Sequence, residues 1–155
     1  CPFCIYNNNY RFYFFTFFSV YIIIMFGLQI GYVIVDGNSS LFATVLNGVN
    51  TVLHQFIADL PRTHGRGGQS AERFKIRRLQ ARQEYVTKVA ECANQQFIIN
   101  DNPIICGLVI AGSGEFKHEL IASGLLDYRL EIINVIDVSY GDTIGLNQAI
   151  QHMNV

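Results

Sequence analysis

Short runs of apolar residues mark three successive strands from residue 30 onward. Ile30–Val35 is rich in β-branched residues and ends at an Asp-Gly-Asn turn signal at residues 36–38, after which residues 41–46 form a second apolar run. Residues 49–58 alternate apolar and polar side chains and stop at Asp-Leu-Pro, because proline cannot continue a hydrogen-bonded ladder. The pattern predicts a β-hairpin followed by a third strand.

The apolar spacing changes to that of a helix after Ser70, which can cap a helix. From Ala71 to about Ile99 the apolar positions recur at three- and four-residue intervals. These positions are Phe74, Leu79, Val86, Val89, Ala90, Ala93 and Phe97. We expect them to be core, since helical spacing explains them without a cofactor. Asn-Asp-Asn-Pro at residues 100–103 ends this helix.

The second half of the chain alternates strands and helices. Residues 104–111 form a continuous apolar run, as in a central strand covered on both faces, and a Gly-Ser-Gly turn leads into a helix over residues 115–123. Residues 130–138 end in a further strand, and residues 144–152 form a final helix. The order predicts a three-layer α/β domain with a mixed β-sheet flanked by helices, in which the loop at residues 62–69 leads into the long helix.

The first 29 residues differ from the rest. Residues 12–35 carry no charge, and Phe, Tyr, Ile and Asn dominate the segment. Three interpretations stay open: translated non-coding sequence, which this restricted composition favours, a membrane anchor, or an apolar lead-in to the domain. We place the domain at residues 30–155 and expect no membrane partner, because the single flanking Arg11 is a weak topology signal.

Charge is segregated along the chain although the net charge is only −1. Eight of the eleven basic residues lie between residues 62 and 88, where only Glu72 and Glu84 oppose them. The eight are Arg62, Arg66, Arg73, Lys75, Arg77, Arg78, Arg82 and Lys88. A basic arm on an acidic body suits contact with a polyanion. A solvated helix face is the alternative that charge alone favours.

The four cysteines do not complete a metal site. Cys1 and Cys4 have the two-residue gap of a metal knuckle, but no second pair or suitably spaced histidines follow. We expect Cys92 and Cys106 to be reduced core residues of a cytoplasmic protein. No metal is expected.

Residues 64–70 read His-Gly-Arg-Gly-Gly-Gln-Ser, between Asp-Leu-Pro and Ala-Glu-Arg-Phe. With the basic helix after it, this stretch resembles the middle domain of the eukaryotic class-1 peptide chain release factors, whose Gly-Gly-Gln tripeptide enters the ribosomal peptidyl transferase centre. The resemblance extends from about residue 30 to the end and includes Asp-Val-Ser-Tyr-Gly at residues 137–141. It implies translation termination in the cytoplasm, by hydrolysis of the peptidyl-tRNA ester.

Gly67, Gly68 and Gln69 are the catalytic residues that the resemblance implies. Two glycines without Cβ atoms allow the backbone to approach the transfer RNA end closely. Gln69 cannot be a general base, because an amide does not titrate near neutral pH, but its backbone N–H can stabilise developing charge at the ester. The domain promotes hydrolysis together with the ribosome rather than as a free-standing enzyme, and it needs no metal or organic cofactor.

The basic residues around the tripeptide are expected to contact RNA phosphates, which positions the domain without reading sequence. They are Arg62, His64, Arg66, Arg73, Lys75, Arg77, Arg78 and Arg82. Thr63 stands where the family usually has a basic residue and Glu72 where it usually has leucine. Both departures reduce positive charge near the loop.

The resemblance also implies partners. These are the ribosome and peptidyl-tRNA, a class-2 release factor GTPase in the full-length family, and a methyltransferase acting on Gln69. The rival hypothesis is a non-catalytic fragment that binds RNA or the ribosome, because neither the codon-reading nor the GTPase-binding domain of the family is recognisable in the sequence.

Overall fold

The computed structural model describes residues 29–58, 60–61 and 71–153. Its strands are β1 (Ile30–Val35), β2 (Ser39–Leu46), β3 (Val49–Ile57), β4 (Ile98–Ile99), β5 (Asn102–Pro103), β6 (Gly107–Gly112) and β7 (Ile132–Asp137). Its helices are α1 (Ala71–Phe97), α2 (Phe116–Ser123) and α3 (Asp142–Met153). The predicted hairpin, third strand and alternating second half are confirmed, with boundaries that move by a few residues.

Five strands form one mixed sheet in the order β3-β2-β1-β6-β7. The pairs β1–β2 and β2–β3 are antiparallel, whereas β1–β6 and β6–β7 are parallel. Strand β6 lies between two neighbours and all six of its residues are buried, as its continuous apolar sequence predicts. The central pairing leaves no space for a side chain at Gly112, where an added Cβ would lie 2.2 Å from the carbonyl oxygen of Val35.

Helices cover both faces of the sheet, which confirms the three-layer architecture. Val33, Leu108 and Ile110 point into a first core with residues of α1 and α2, such as Val89 and Leu120. The alternate strand residues, such as Tyr32, Ile34 and Val109, point into a second core beneath α3. This two-residue period is the geometry of a strand buried on both sides.

Only the C-terminal half of α1 packs on the sheet. Its buried residues run from Tyr85 to Phe97, whereas none of residues 71–84 is buried. The prediction that Phe74 and Leu79 are core is wrong, since they are 55% and 54% exposed. The reason is length: a helix of 27 residues extends about 40 Å, whereas a six-residue strand extends about 20 Å. We call residues 71–84 the projecting half of α1.

A tight turn ends α1 two residues earlier than expected. Ile98 and Ile99 form a short strand that pairs with Asn102–Pro103. Asn100 and Asp101 between them have φ angles of 50° and 62°, a left-handed conformation that asparagine and aspartate adopt more readily than most residues. The turn residues therefore stop the helix, as the sequence indicates, by reversing the chain.

Cys106 is exposed and not core, which corrects the expectation from its apolar context. It precedes β6 next to the buried Ile105, and its backbone N–H donates to the carbonyl oxygen of Gln29 at 2.8 Å. Residues 104–106 form a bend before β6, in which Ile105 is buried and Cys106 is exposed. Cys92 is half-buried.

The described part of the chain offers neither a membrane-spanning helix nor a cluster of metal ligands. No helix within residues 29–58, 60–61 and 71–153 is long and apolar enough to cross a membrane. Within the same residues, no three His, Cys, Asp or Glu side chains are placed to hold a metal ion. The apolar leader and the Cys1–Cys4 pair lie outside the described residues.

Two phenylalanines of α1 test the division of the helix. Phe97→Ala should lower the free energy of unfolding by about 3–5 kcal/mol, because the ring is fully buried. Phe74→Ala should change it by less than about 0.5 kcal/mol, because the ring projects into solvent. Urea denaturation of both variants measures the two values. Equal losses of unfolding free energy in the two variants would show that the projecting half is packed.

Candidate functional site

The projecting half of α1 is the most basic surface among the described residues. It carries five of the side chains predicted to contact RNA, namely Arg73, Lys75, Arg77, Arg78 and Arg82. Glu72 and Glu84 are the acidic residues of this half. The body beneath it carries most of the remaining acidic residues, so the positive charge is concentrated on an arm.

The basic side chains occupy two sides of the projecting half of α1. Lys75, Arg78 and Arg82 follow at three- and four-residue spacing and share the side of the helix that continues into the core. Arg73 and Arg77, four residues apart, lie on the opposite side. A polyanion can therefore be contacted from either side, as phosphates of a folded RNA would require.

Arg82 differs from the other four because it is held within the domain. Its Nε lies 2.7 Å from both carboxylate oxygens of Glu119 on α2, and its guanidinium carbon lies 4.3 Å from the centre of the Phe116 ring. The hydrogen bond with Glu119 raises the pKa of Arg82. Among the described residues, an ion pair forms at Arg82 and at none of the other four basic positions. Contact of Arg82 with RNA stays a prediction, and the pair with Glu119 opposes it.

Tyr85, three residues further along α1, is the first buried residue of the helix from its N-terminus. Its hydroxyl donates to the carbonyl oxygen of Asp36 at 2.6 Å. The carbonyl oxygen of Ser39 lies 3.0 Å from the same hydroxyl, and Ser40 Oγ lies 2.6 Å from it. Burial raises the pKa of Tyr85 to about 12, so the phenol stays protonated at neutral pH. The hydroxyl therefore joins the long helix to the turn between β1 and β2.

Aromatic rings support this junction from two sides. The ring of Tyr85 meets Phe116 edge-on with centroids 5.3 Å apart and Phe56 with centroids 6.0 Å apart. The Lys88 ammonium lies 4.4 Å from the centre of the Phe56 ring. Edge-to-face pairs of this kind stabilise by about 0.5–1.5 kcal/mol beyond the area that they bury. The helix is thus held where it leaves the sheet.

Lys117 fixes α2, which supplies Glu119 and Phe116. The Lys117 side chain is only 3% exposed, donates to the carbonyl oxygen of Gly114 at 2.7 Å and pairs with Asp137 at the end of β7. The hydrogen bond with Lys117 lowers the pKa of Asp137. A buried ammonium needs such partners, since an unpaired one would be strongly destabilising.

The remaining predicted site residues lie outside the described residues. These are the catalytic Gly67, Gly68 and Gln69 and the RNA contacts Arg62, His64 and Arg66. On one side of them Leu60 packs against the first core, and on the other α1 begins at Ala71. In the sequence, Ser70 alone separates Gln69 from Ala71.

Sequence reasoning missed Tyr85, Phe116 and Glu119 as contributors to the site. Tyr85 interrupts a charged helix with an aromatic residue at core spacing, which is a signal for an anchor point. Phe116 and Glu119 are ordinary surface residues of a short helix in sequence terms. Their role depends on how α2 packs against α1, which periodicity does not reveal.

The mixed sheet with a basic helix projecting beyond it defines an α/β domain whose positive charge is concentrated on that helix. A family model described as eRF1 domain 2 matches residues 29–155. The chain belongs to this release factor domain family.

Relatives among known proteins agree with the family. The chain is 49% identical over 125 residues to "Eukaryotic peptide chain release factor subunit 1" of Dictyostelium discoideum, covering 79% of this chain and 28% of that protein. It is 50% identical over 125 residues to the protein of the same name from Saccharomyces cerevisiae, covering 79% and 29%. The chain thus spans less than a third of the length of these relatives.

A solved structure shares the fold. The archaeal translation termination factor aRF1 superposes with a TM-score of 0.67 at 24% identity, covering 81% of this chain and 34% of that one. At this identity the likeness supports the architecture alone.

Removing charge from the projecting half tests its role. Replacing Arg73, Arg77 and Arg78 together by Gln should weaken binding to ribosomes and reduce the slope of log affinity against log salt by about 2–3, because each lost phosphate contact releases fewer counterions. Replacing Gln80 and Gln83 by Ala, on the same helix, should leave the slope unchanged. A salt titration measures both, and an unchanged slope in the arginine variant would favour a solvated face.

Proposed function

We propose that this domain triggers hydrolysis of the peptidyl-tRNA ester in the ribosomal peptidyl transferase centre during translation termination. The observation that carries the proposal is that Gly67, Gly68 and Gln69 directly precede a helix whose first half projects from the body with its positive charge. Membership of the release factor domain family supports the same function. The arm would place the tripeptide, and the ribosome would supply the rest of the active site.

The reaction requires little chemistry from the side chains of the loop. The oxygen of a water molecule adds to the ester carbonyl carbon, the bond to the transfer RNA oxygen breaks, and a proton passes to that leaving oxygen. The backbone N–H of Gln69 donates a hydrogen bond where negative charge develops, which is worth about 3–4 kcal/mol for a well-placed donor. The Gln69 side chain orders the water. No metal or organic cofactor enters this scheme.

RNA contacts provide the placement. Arg73, Lys75, Arg77 and Arg78 on the arm, with Arg62, His64 and Arg66 beside the tripeptide, bind phosphates of ribosomal RNA and transfer RNA. The proposal also includes a cytoplasmic location, a class-2 release factor GTPase as partner of the longer factor, and methylation of Gln69. A binding domain without catalysis is the second candidate, which the charge of the arm favours when it is considered without the tripeptide.

Replacing Gly68 separates the two candidates. The assay uses a hybrid factor in which residues 29–155 replace the matching domain of the Saccharomyces cerevisiae relative. Gly68→Ala should reduce peptide release by at least about 100-fold, because a Cβ displaces the backbone from the ester and small misplacements are costly in catalysis. Ribosome binding should change by less than about twofold, because the phosphate contacts remain.

Gly48→Ala is the matched control, since Gly48 lies in the turn between β2 and β3 and an added Cβ there meets nothing within 4 Å. It should leave release unchanged, with a small loss of stability from its φ of 80°. Near-normal release by Gly68→Ala would contradict the close-approach mechanism and leave the binding function.

A further inference from the structure

Tyr85 lies where α1 leaves the sheet, at the boundary between its packed half and its projecting half. We propose that Tyr85 is a positioning residue, whose hydroxyl sets the direction of the projecting half and thereby the place of Ala71, the first residue of α1, which follows Gln69 and Ser70 in the sequence. The inference rests on the proposed function for its effect on catalysis. Its geometric part, the direction of the arm, concerns the domain alone.

The turn that receives the hydroxyl is itself fixed. The backbone N–H of Asp36 donates to the carbonyl oxygen of Ser39 at 2.9 Å, and a carboxylate oxygen of Asp36 accepts from the Gly37 N–H at 2.7 Å. The same oxygen accepts from Ser113 Oγ at 2.6 Å, which ties the turn to the end of β6. Tyr85 therefore bonds to a part of the sheet that is held from two strands.

The hydroxyl supplies a constraint that the ring does not. Phe56 and Phe116 flank the ring edge-on, and such ring contacts occur over centroid separations of about 4.5–7 Å, so they fix the helix less closely than a hydrogen bond does. Hydrogen bonds lose strength steeply when their length or angle changes, so the contact with the Asp36 carbonyl resists rotation and tilt of the helix. The half-exposed Arg82–Glu119 pair is weaker, since solvent and salt screen it.

A small tilt of α1 at Tyr85 becomes a large displacement at the start of the helix, because the two points lie far apart. Ala71 is 14 residues from Tyr85, which is about 21 Å along a helix. A tilt of roughly 5° at Tyr85 moves the start of the helix by about 2 Å over that length. A misplacement of about 1 Å can cost about 100-fold in rate. Catalysis is therefore sensitive to an anchor that lies about 21 Å from the start of the helix.

Tyr85→Phe in the hybrid factor tests the inference, because it keeps the ring and removes the hydroxyl. The rate of peptide release at saturating factor should fall by roughly tenfold or more, whereas the factor concentration for half-maximal rate should change by less than about twofold. Tyr32→Phe is the matched control, since Tyr32 is equally buried but lies in the second core, away from α1. It should leave both values unchanged. An unchanged release rate in Tyr85→Phe would overturn the inference.

A second measurement reads the direction of the arm in the chain itself, without catalysis. Residual dipolar couplings of the amides of residues 72–84 should fit one orientation relative to β1 and β6 in the unsubstituted chain and be averaged in Tyr85→Phe. Identical couplings in the two proteins would overturn the inference. An inactive unsubstituted hybrid factor would instead contradict the proposed function, and the couplings would still decide the geometric part.

If Tyr85→Phe does not fold, a second variant tests the inference. If near-ultraviolet circular dichroism shows that Tyr85→Phe lacks tertiary structure, Ser40→Ala takes its place, since it removes one partner of the hydroxyl and keeps the ring. It should produce a smaller fall in release rate and a smaller averaging of the couplings. Values equal to those of the unsubstituted protein would again overturn the inference.

Discussion

The mismatch in length between α1 and the sheet governs the organisation of this domain. A 27-residue helix, about 40 Å long, exceeds the length of strands of six to nine residues, so part of it projects when the rest is packed. Packing of Val89, Ala93 and Phe97 on the sheet holds the helix, and its basic N-terminal half lies outside the core.

Charged residues near the packed part of the domain and those of the projecting half have different surroundings. The body carries acidic side chains that pair locally, as Glu119 does with Arg82 and Asp137 does with Lys117. These pairs hold α2 against α1 and the sheet. Arg73, Arg77 and Arg78 of the projecting half form no such pair within the described residues, so their charge is available for the phosphate contacts proposed above.

Much of the fold follows from local patterns in the sequence. The turn at residues 36–38, the alternation along β3 and the apolar run before Gly112 each predict the element that forms, because a strand or turn depends mainly on its own residues. The exposure of Phe74 and Leu79 could not be predicted in this way. Helical spacing gives the side of a helix on which a residue lies, but burial also depends on how far the partner sheet extends.

The candidate site, like the fold, has a part that the sequence predicts and a part that it does not. The Gly-Gly-Gln tripeptide and the basic cluster are contiguous, so the sequence alone suggests them as site residues, whereas the contacts that hold the projecting half join residues from distant segments. Tyr85 meets the turn at Asp36, and Arg82 meets Glu119, across 49 and 37 positions of the chain. The tertiary fold brings these segments together, so periodicity along the sequence does not reveal the contacts.

The most direct test of the account is peptide release by the unsubstituted hybrid factor on ribosomes programmed with a stop codon. The account predicts a release rate within about tenfold of that of the Saccharomyces cerevisiae relative, a difference of about 1.4 kcal/mol in the barrier. Release should be absent on ribosomes programmed with a sense codon, because the family resemblance implies that a codon-reading domain lies in the rest of the factor. A hybrid factor that binds stop-programmed ribosomes but releases no peptide would contradict the claim that this domain carries the catalytic function.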